Sequence, residues 1–103
     1  MSPKPVRPRA RARQDVDEAI EFYLAEAGPD VALRFIAALE RTYQAMSRHP
    51  ATGSPRYGQD LGLPGLRSRP LRGFPYIVFY LERQHDLDVW RVLHARRDIP
   101  AWL

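Results

Sequence analysis

His94 closes the apolar pair Val92-Leu93, and two arginines, Arg96 and Arg97, follow it in the stretch RVLHARRDIP. Histidine titrates near neutrality and can act as acid or base. Arginine forks clamp phosphate oxygens. With Arg67, Arg69, Arg72 and Arg91 these residues could cleave RNA through attack of a 2′-hydroxyl. That reaction needs a base for the hydroxyl proton, an acid for the leaving oxygen and cations for the phosphorane. The catalytic candidates are His94, Arg72 and Arg69. Each also has a quieter use. A lone histidine at a strand end commonly makes a structural hydrogen bond. Arginines on an outer strand protect an edge, and Arg96, Arg97 and Asp98 can pair locally at a surface. His49, His85 and His94 are dispersed, with no HxH or HExxH pair, and cysteine is absent. No metal or cofactor is therefore expected.

The elements that must position these residues share 103 residues, enough for one small domain. Sixteen Lys and Arg stand against twelve Asp and Glu, a net charge of +4, and Lys4 is the sole lysine. Such a balance suits nucleic acid or an acidic protein partner. It also fits a chain whose arginine, alanine and proline merely reflect a GC-rich genome. No apolar run approaches the ~20 residues of a membrane span. The basic opening MSPKPVRPRARAR leads into no apolar segment, so no secretory leader is expected. The chain reads as soluble and cytoplasmic.

Period-two alternation in VRPRARAR (6–13) predicts a strand, and Pro8 places it at an edge. Residues 1–5 read as a flexible arm. Asp15 is expected to cap a helix running to Gly28, with Val16, Ala19, Ile20, Tyr23 and Ala27 on its apolar face. Pro29 suits the start of a second helix, to Arg48, with a stripe of Val31, Phe35, Leu39, Thr42 and Met46 flanked by Ile36 and Tyr43. The short break predicts an antiparallel helical hairpin. Residues 49–65 read as a Pro/Gly-rich loop. Three strands follow at 66–72, 76–82 and 87–94, and a tail at 97–103. The fold class is α+β: an N-terminal strand, a helical hairpin, then a three-stranded antiparallel meander. The hairpin should cover one sheet face and leave the other open, concave and arginine-bearing.

This order, with HPATGSP, LPGLRSRPLRGFPYIVFY and VWRVLHARRDIPAWL, resembles the ParE branch of the RelE/ParE superfamily, the toxins of type II toxin–antitoxin pairs. The likeness spans Val6 to Leu103. It implies a toxin that inhibits DNA gyrase without a catalytic centre of its own and is neutralised by a cognate antitoxin. The superfamily's other branch comprises ribosome-dependent mRNA endonucleases. Those carry an arginine ahead of the central strand's apolar segment, where this chain has Ile77, and many carry a C-terminal tyrosine that is absent here. The nuclease, and a degenerate toxin that only binds antitoxin, stay as alternatives. Arg67, Arg69, Arg72, Arg91, Arg96, Arg97 and Trp102 are the expected target-binding residues. Val16, Ile20, Tyr23, Phe35 and Tyr43 are the expected antitoxin-binding residues. No sequence-specific DNA binding by the toxin alone is expected.

Overall fold

The computed structural model describes residues 2–103. The chain runs β1 (Val6–Pro8), α1 (Ala10–Ala27), α2 (Pro29–Arg48), a 3-10 turn (Pro50–Thr52), α3 (Arg56–Leu61), β2 (Leu66–Pro70), β3 (Tyr76–Glu82), β4 (Leu87–His94) and α4 (Ile99–Trp102). The strands form one sheet in the order β1-β4-β3-β2. β1 is parallel to β4, and the other neighbours are antiparallel. This is the expected α+β class, and β3 and β4 have the expected bounds.

The alternating stretch is strand only as far as Pro8. The Arg9 amide donates to Val89 O at 2.9 Å as the chain leaves the sheet, and residues 10–13 are already helical. Alanine and arginine are both strong helix formers, so their alternation offers no resistance to helix once the sheet bonds end. Asp15 therefore does not cap α1; it lies inside the helix and is buried. The hairpin turns at Gly28, whose φ of 90° favours glycine. α2 starts on Pro29 and has Asp30 in its first turn and Arg48 in its last, both complementing its dipole. Its buried face is Ala32, Phe35, Ala38, Leu39, Thr42 and Met46, so Ala32 takes the place expected of Val31. Against it pack Val78, Tyr80, Leu87, Val89 and Val92 from the sheet.

The opposite sheet face is not the open, arginine-bearing surface expected. A second apolar cluster of Leu66, Phe79, Leu93 and Ile99 covers it, joined by Tyr57, Leu63, Ile77, Trp90 and Leu103. Residues 49–65 supply part of this cover and are not a structureless loop. Gly58 of α3 lies so near β2 that a Cβ there would meet Leu66 O at 2.5 Å. The other part is the tail, which folds back as α4 with Ile99 buried.

Both outer strands carry a proline, Pro8 and Pro70, which suits an edge. Ser54 pairs with Ser68 in both directions on the outside of β2. Of the expected flexible arm, Met1 lies outside the described residues, while Lys4 and Pro5 are tied down. Lys4 N donates to Ser47 O at 3.1 Å, Lys4 Nζ to Glu82 Oε2 at 2.8 Å, and Leu87 N to Pro5 O at 2.9 Å.

Asp88 on β4 clasps the start of the chain. It accepts Arg9 Nε at 3.0 Å, Arg9 Nη2 at 2.8 Å and Trp90 Nε1 at 3.0 Å. Burial alone would push its carboxyl up. The hydrogen bonds from Arg9 and Trp90, with the charges of Arg9 and Arg83, outweigh that and hold it below its ordinary 3.8. A carboxyl lowered in the folded state stabilises above its unfolded value and stops doing so as pH falls through the lowered one. Stability should thus decline from about pH 5 downward. Urea denaturation at stepped pH should show this decline, and Asp88→Asn should flatten it while lowering stability at pH 7.

Candidate functional site

Inside α1, Asp15 meets Arg91, which sits just after the bulge of β4 opposite Phe79/Tyr80. Arg91 Nε donates to Asp15 Oδ2 at 2.8 Å and Nη2 to Oδ1 at 2.7 Å, a bidentate pair with side chains 7% and 8% exposed. The Val92 amide donates to Asp15 Oδ2 at 3.0 Å. The remaining guanidinium nitrogen, Nη1, donates to Trp102 O at 2.6 Å. The hydrogen bonds to Asp15 outweigh burial and raise the already high pKa of Arg91, so it stays charged. One side chain thus joins α1, β4 and α4. Arg91 is consumed by the fold and is not free to contact a target.

Two tight bonds gather other cations at one end of the sheet. Leu71 N donates to Tyr76 O at 2.9 Å and Ala95 N to Pro75 O at 2.8 Å. The turn bearing Arg72 therefore lies beside the turn bearing Arg96 and Arg97. His94 ends β4 there, its Nδ1 accepting the Arg96 amide at 3.1 Å and its ring 5.2 Å from Tyr76 in edge contact. Phe22 of α1 stands over the same corner, 55% exposed. Phe22, Tyr76, His94, Arg96 and Arg97 line an open cavity of about 380 Å³. A recess of about 150 Å³ leads inward past Glu18 and Ala19 to Val92. The Arg97 guanidinium lies 4.2 Å from the centre of the Trp102 ring, and that of Arg91 5.6 Å. Trp102 is 41% exposed. Its ring lies against both guanidinium groups and keeps part of its surface open to a partner. Burial raises the Tyr76 hydroxyl, with Tyr23 and Glu18 adding to the effect and Arg97 opposing it.

Arg67 and Arg69 are elsewhere. Arg67 Nη1 donates to Gly53 O at 2.8 Å and Arg69 Nη1 to Thr52 Oγ1 at 2.6 Å. They hold the 50–53 turn, which Tyr80 also holds through Pro50 O and the Gly53 amide. β3 lies between Arg69 and His94. Of the catalytic candidates, Arg69 therefore stands apart from His94, while Arg72 lies on the turn beside it; Ile77 packs in the second apolar cluster. Among the described residues, no group of three or more His, Asp or Glu side chains is placed to hold a metal ion.

Of the residues expected to meet an antitoxin, Phe35 is fully buried. Its ring packs among Tyr23, Phe74 and Tyr76 at 5.3–5.5 Å and belongs to the core. Val16, Ile20, Tyr23 and Tyr43 are half-buried and present partial surfaces. Val16, Leu39, Tyr43 and Pro8 form the apolar lining of a groove of about 260 Å³ bordered by Arg13 and Asp17. Tyr43 also lines a second hollow of about 350 Å³ with Pro3, Val6, Gln44, Ser47 and Arg48. Burial, then the charge of Asp15, pushes the Tyr43 hydroxyl up to about 12. Phe22, Tyr76 and Glu18 at the sheet corner were missed by sequence reasoning. One signal existed: Phe22 is a large apolar residue standing off the α1 stripe.

The family model described as the ParE toxin of type II toxin–antitoxin systems, parDE, matches residues 6–99. A protein named "Putative toxin Y4kP" from Sinorhizobium fredii (strain NBRC 101917 / NGR234) is 32% identical over 103 residues, all of both chains. A solved structure titled "Chromosomal ParDE TA system from P. aeruginosa" superposes with a TM-score of 0.74 at 17% identity. The match covers 88% of this chain and 95% of that one, a likeness of fold.

Breaking a buried ion pair from one side leaves an uncompensated charge, at a cost of about 3–5 kcal/mol. Asp15→Asn should lose that much in urea denaturation. Arg91→Met should in addition release Trp102 O and shift the tryptophan emission to the red. A loss under about 1 kcal/mol, the scale of a surface pair, would show that the clamp is unimportant.

Proposed function

The chain belongs to the ParE toxin family of type II toxin–antitoxin systems, and from that premise we propose that it arrests growth by inhibiting DNA gyrase until its cognate antitoxin covers it. The observation that carries this reading is the sheet corner. It brings guanidinium groups free of carboxylate partners and aromatic rings to one surface. His94 spends Nδ1 on a turn, Arg69 is held by Thr52, and Arg91 is neutralised by Asp15. In this reading the surface serves binding, not cleavage. Arg72, Arg96, Arg97 and Trp102 form the target-facing set; tryptophan and arginine are enriched at interface hot spots.

The antitoxin would lie on the other surface, along the groove around Tyr43. Apolar lining from Pro8, Val16, Leu39 and Tyr43 takes the apolar face of an incoming segment. Arg13 and Arg48 at its borders have no carboxylate within ion-pair distance among the described residues. They suit an acidic amphipathic segment that folds as it binds. Val16, Ile20, Tyr23 and Tyr43 are the contact residues in this reading. Among the described residues no helix is long and apolar enough to cross a membrane. In this reading both partners are met in the cytoplasm.

Induced expression without antitoxin should trigger the DNA-damage response, and the purified toxin should inhibit gyrase supercoiling. Rapid translation arrest with intact chromosomes would instead show a ribosome-dependent nuclease, and His94→Ala would then abolish it. The absence of any arrest would leave a protein that only binds antitoxin. The two surfaces should also separate in mutants. Tyr43→Ala should weaken antitoxin binding by about 30-fold or more, as at a hot spot, and keep toxicity. Arg96→Ala with Arg97→Ala should reduce toxicity and keep antitoxin affinity in a titration of the purified pair.

A further inference from the structure

The cavity at the sheet corner has an uneven polarity that the reading above does not use. Its mouth carries Arg96 and Arg97, with Arg72 on the adjoining turn; none has a carboxylate within ion-pair distance among the described residues. Its walls are aromatic: Phe22, Tyr76 and the ring of His94. The recess that adjoins it carries Glu18 at its rim, an exposed carboxylate whose hydrogen-bond partner is Gln14 Nε2 at 3.3 Å, and buried Asp15, already paired with Arg91. The volume, about 380 Å³ at the mouth, lies within the range of small-molecule sites of ~300–1,000 Å³.

An acidic peptide fits this gradient poorly. Its carboxylates would pair with the arginines, but any acid reaching inward would meet Glu18. A nucleotide fits both ends. Its phosphates take arginine forks at the mouth. Its base is flat and can lie against Phe22 or Tyr76. Its amino group can donate to a carboxylate, as the N4 amine of cytosine does to Glu or Asp. We propose that this corner is a binding groove for one nucleotide of a single-stranded DNA segment, with Phe22 stacking the base, Glu18 accepting from its exocyclic amine, and Arg96 and Arg97 holding the flanking phosphates. Arg97 is held in place by Trp102, which Arg91 in turn ties to the sheet. The selectivity is for unpaired, amine-bearing bases; a duplex hides the base faces and offers no way into the recess. The inference rests on the reading above in taking this corner as the target-facing surface, but binding is measured with the toxin alone. Gyrase inhibition is measured separately, so either can fail without the other.

The test is fluorescence anisotropy of labelled deoxycytidine and thymidine decamers with the full-length toxin at low salt. Binding should be saturable, tighter for the cytidine decamer, and weaker for a duplex of the same length. Phe22→Leu keeps bulk but removes the ring; it should weaken binding by about 5- to 150-fold, the loss expected for one stacked base, and Phe22→Trp should restore it. Arg96→Ala with Arg97→Ala should cut the slope of log K against log salt by about 1.4, at ~0.7 per phosphate on a single strand. Glu18→Gln should erase the preference for cytidine. All four residues are exposed, and circular dichroism should show that the variants fold. No saturable binding, or equal binding by wild type, Phe22→Leu and the arginine variant, overturns the proposal. So does displacement of the oligonucleotide by a glutamate decamer at equal concentration, which would assign the corner to an acidic peptide.

Discussion

The buried pair of Asp15 and Arg91 is the constraint on which the rest of the architecture hangs. Three elements far apart in sequence meet at one guanidinium: α1 through Asp15, β4 through Arg91 itself, and α4 through the Trp102 carbonyl. Asp15 also takes the Val92 amide, beyond the end of β1, where β4 has no strand partner on that side. The carboxylate thus continues the sheet's hydrogen bonding with a side chain. This arrangement needs Asp15 inside the helix and Arg91 next to the bulge, because either shift would aim the group elsewhere. A buried pair of this kind is weak evidence for net stability, since both charges must leave water. Its evident effect is to fix register: α1 cannot slide along β4 without abandoning a charge.

From that clamp the binding surface follows. Arg91 positions Trp102, and Trp102 gives Arg97 a ring to lie on. A guanidinium on an aromatic face loses less freedom on binding than one waving in water, and the contact adds its own attraction. The corner's other wall comes from α1, the helix that carries Asp15, so Phe22 and Glu18 are set by the same clamp. Rigid placement of this sort lowers the ordering cost of association.

The sequence was most legible where a pattern had one physical solution. YIVFYLE is continuously apolar because both faces of β3 are buried, one under the hairpin and one under α3 and α4. The same fact undid the expected open face. A strand buried on both sides requires two covers, and the second was already implied by Phe79 and Ile77 alternating with Val78 and Tyr80. α3 escaped because Gly58 and Gly62 read as breakers, whereas Gly58 is there for close approach to Leu66. The β1–α1 border escaped because period two and helix propensity made opposite demands on VRPRARAR, and the sheet bonds that decide between them are non-local. Asp15 looked like a cap since capping is what an isolated aspartate before an apolar stripe does. Its partner lies 76 residues away, beyond the reach of any local rule. The corner was half legible: its cations stood out, but the partition of the arginines did not.

That partition bears on what the basic charge is for. A GC-rich composition would scatter arginine without regard to surface, and Arg11, Arg34 and Arg41, exposed on the helices, fit that description. The others do not. Arg7, Arg9 and Arg83 face Asp86 and Asp88 around the β1–β4 junction. Arg67 and Arg69 hold the 50–53 turn, and Arg91 holds the tail. Once the arginines bonded within the fold and those scattered on the helices are set aside, the remainder gather at a few places. Arg13 and Arg48 border the hollows that Tyr43 lines, while Arg96 and Arg97 line the cavity at the end of the sheet, with Arg72 on the adjoining turn. Unpaired like charges held close together by tight turns repel one another and reduce stability. The fold tolerates that cost at the sheet corner, where Asp98 is the one acid in the 94–98 turn. Among the described residues, the acids nearby, Glu18 and Asp98, form no ion pair with these arginines. Their clustering around an aromatic cavity is the arrangement expected of a surface that gains its compensation from an anion it binds.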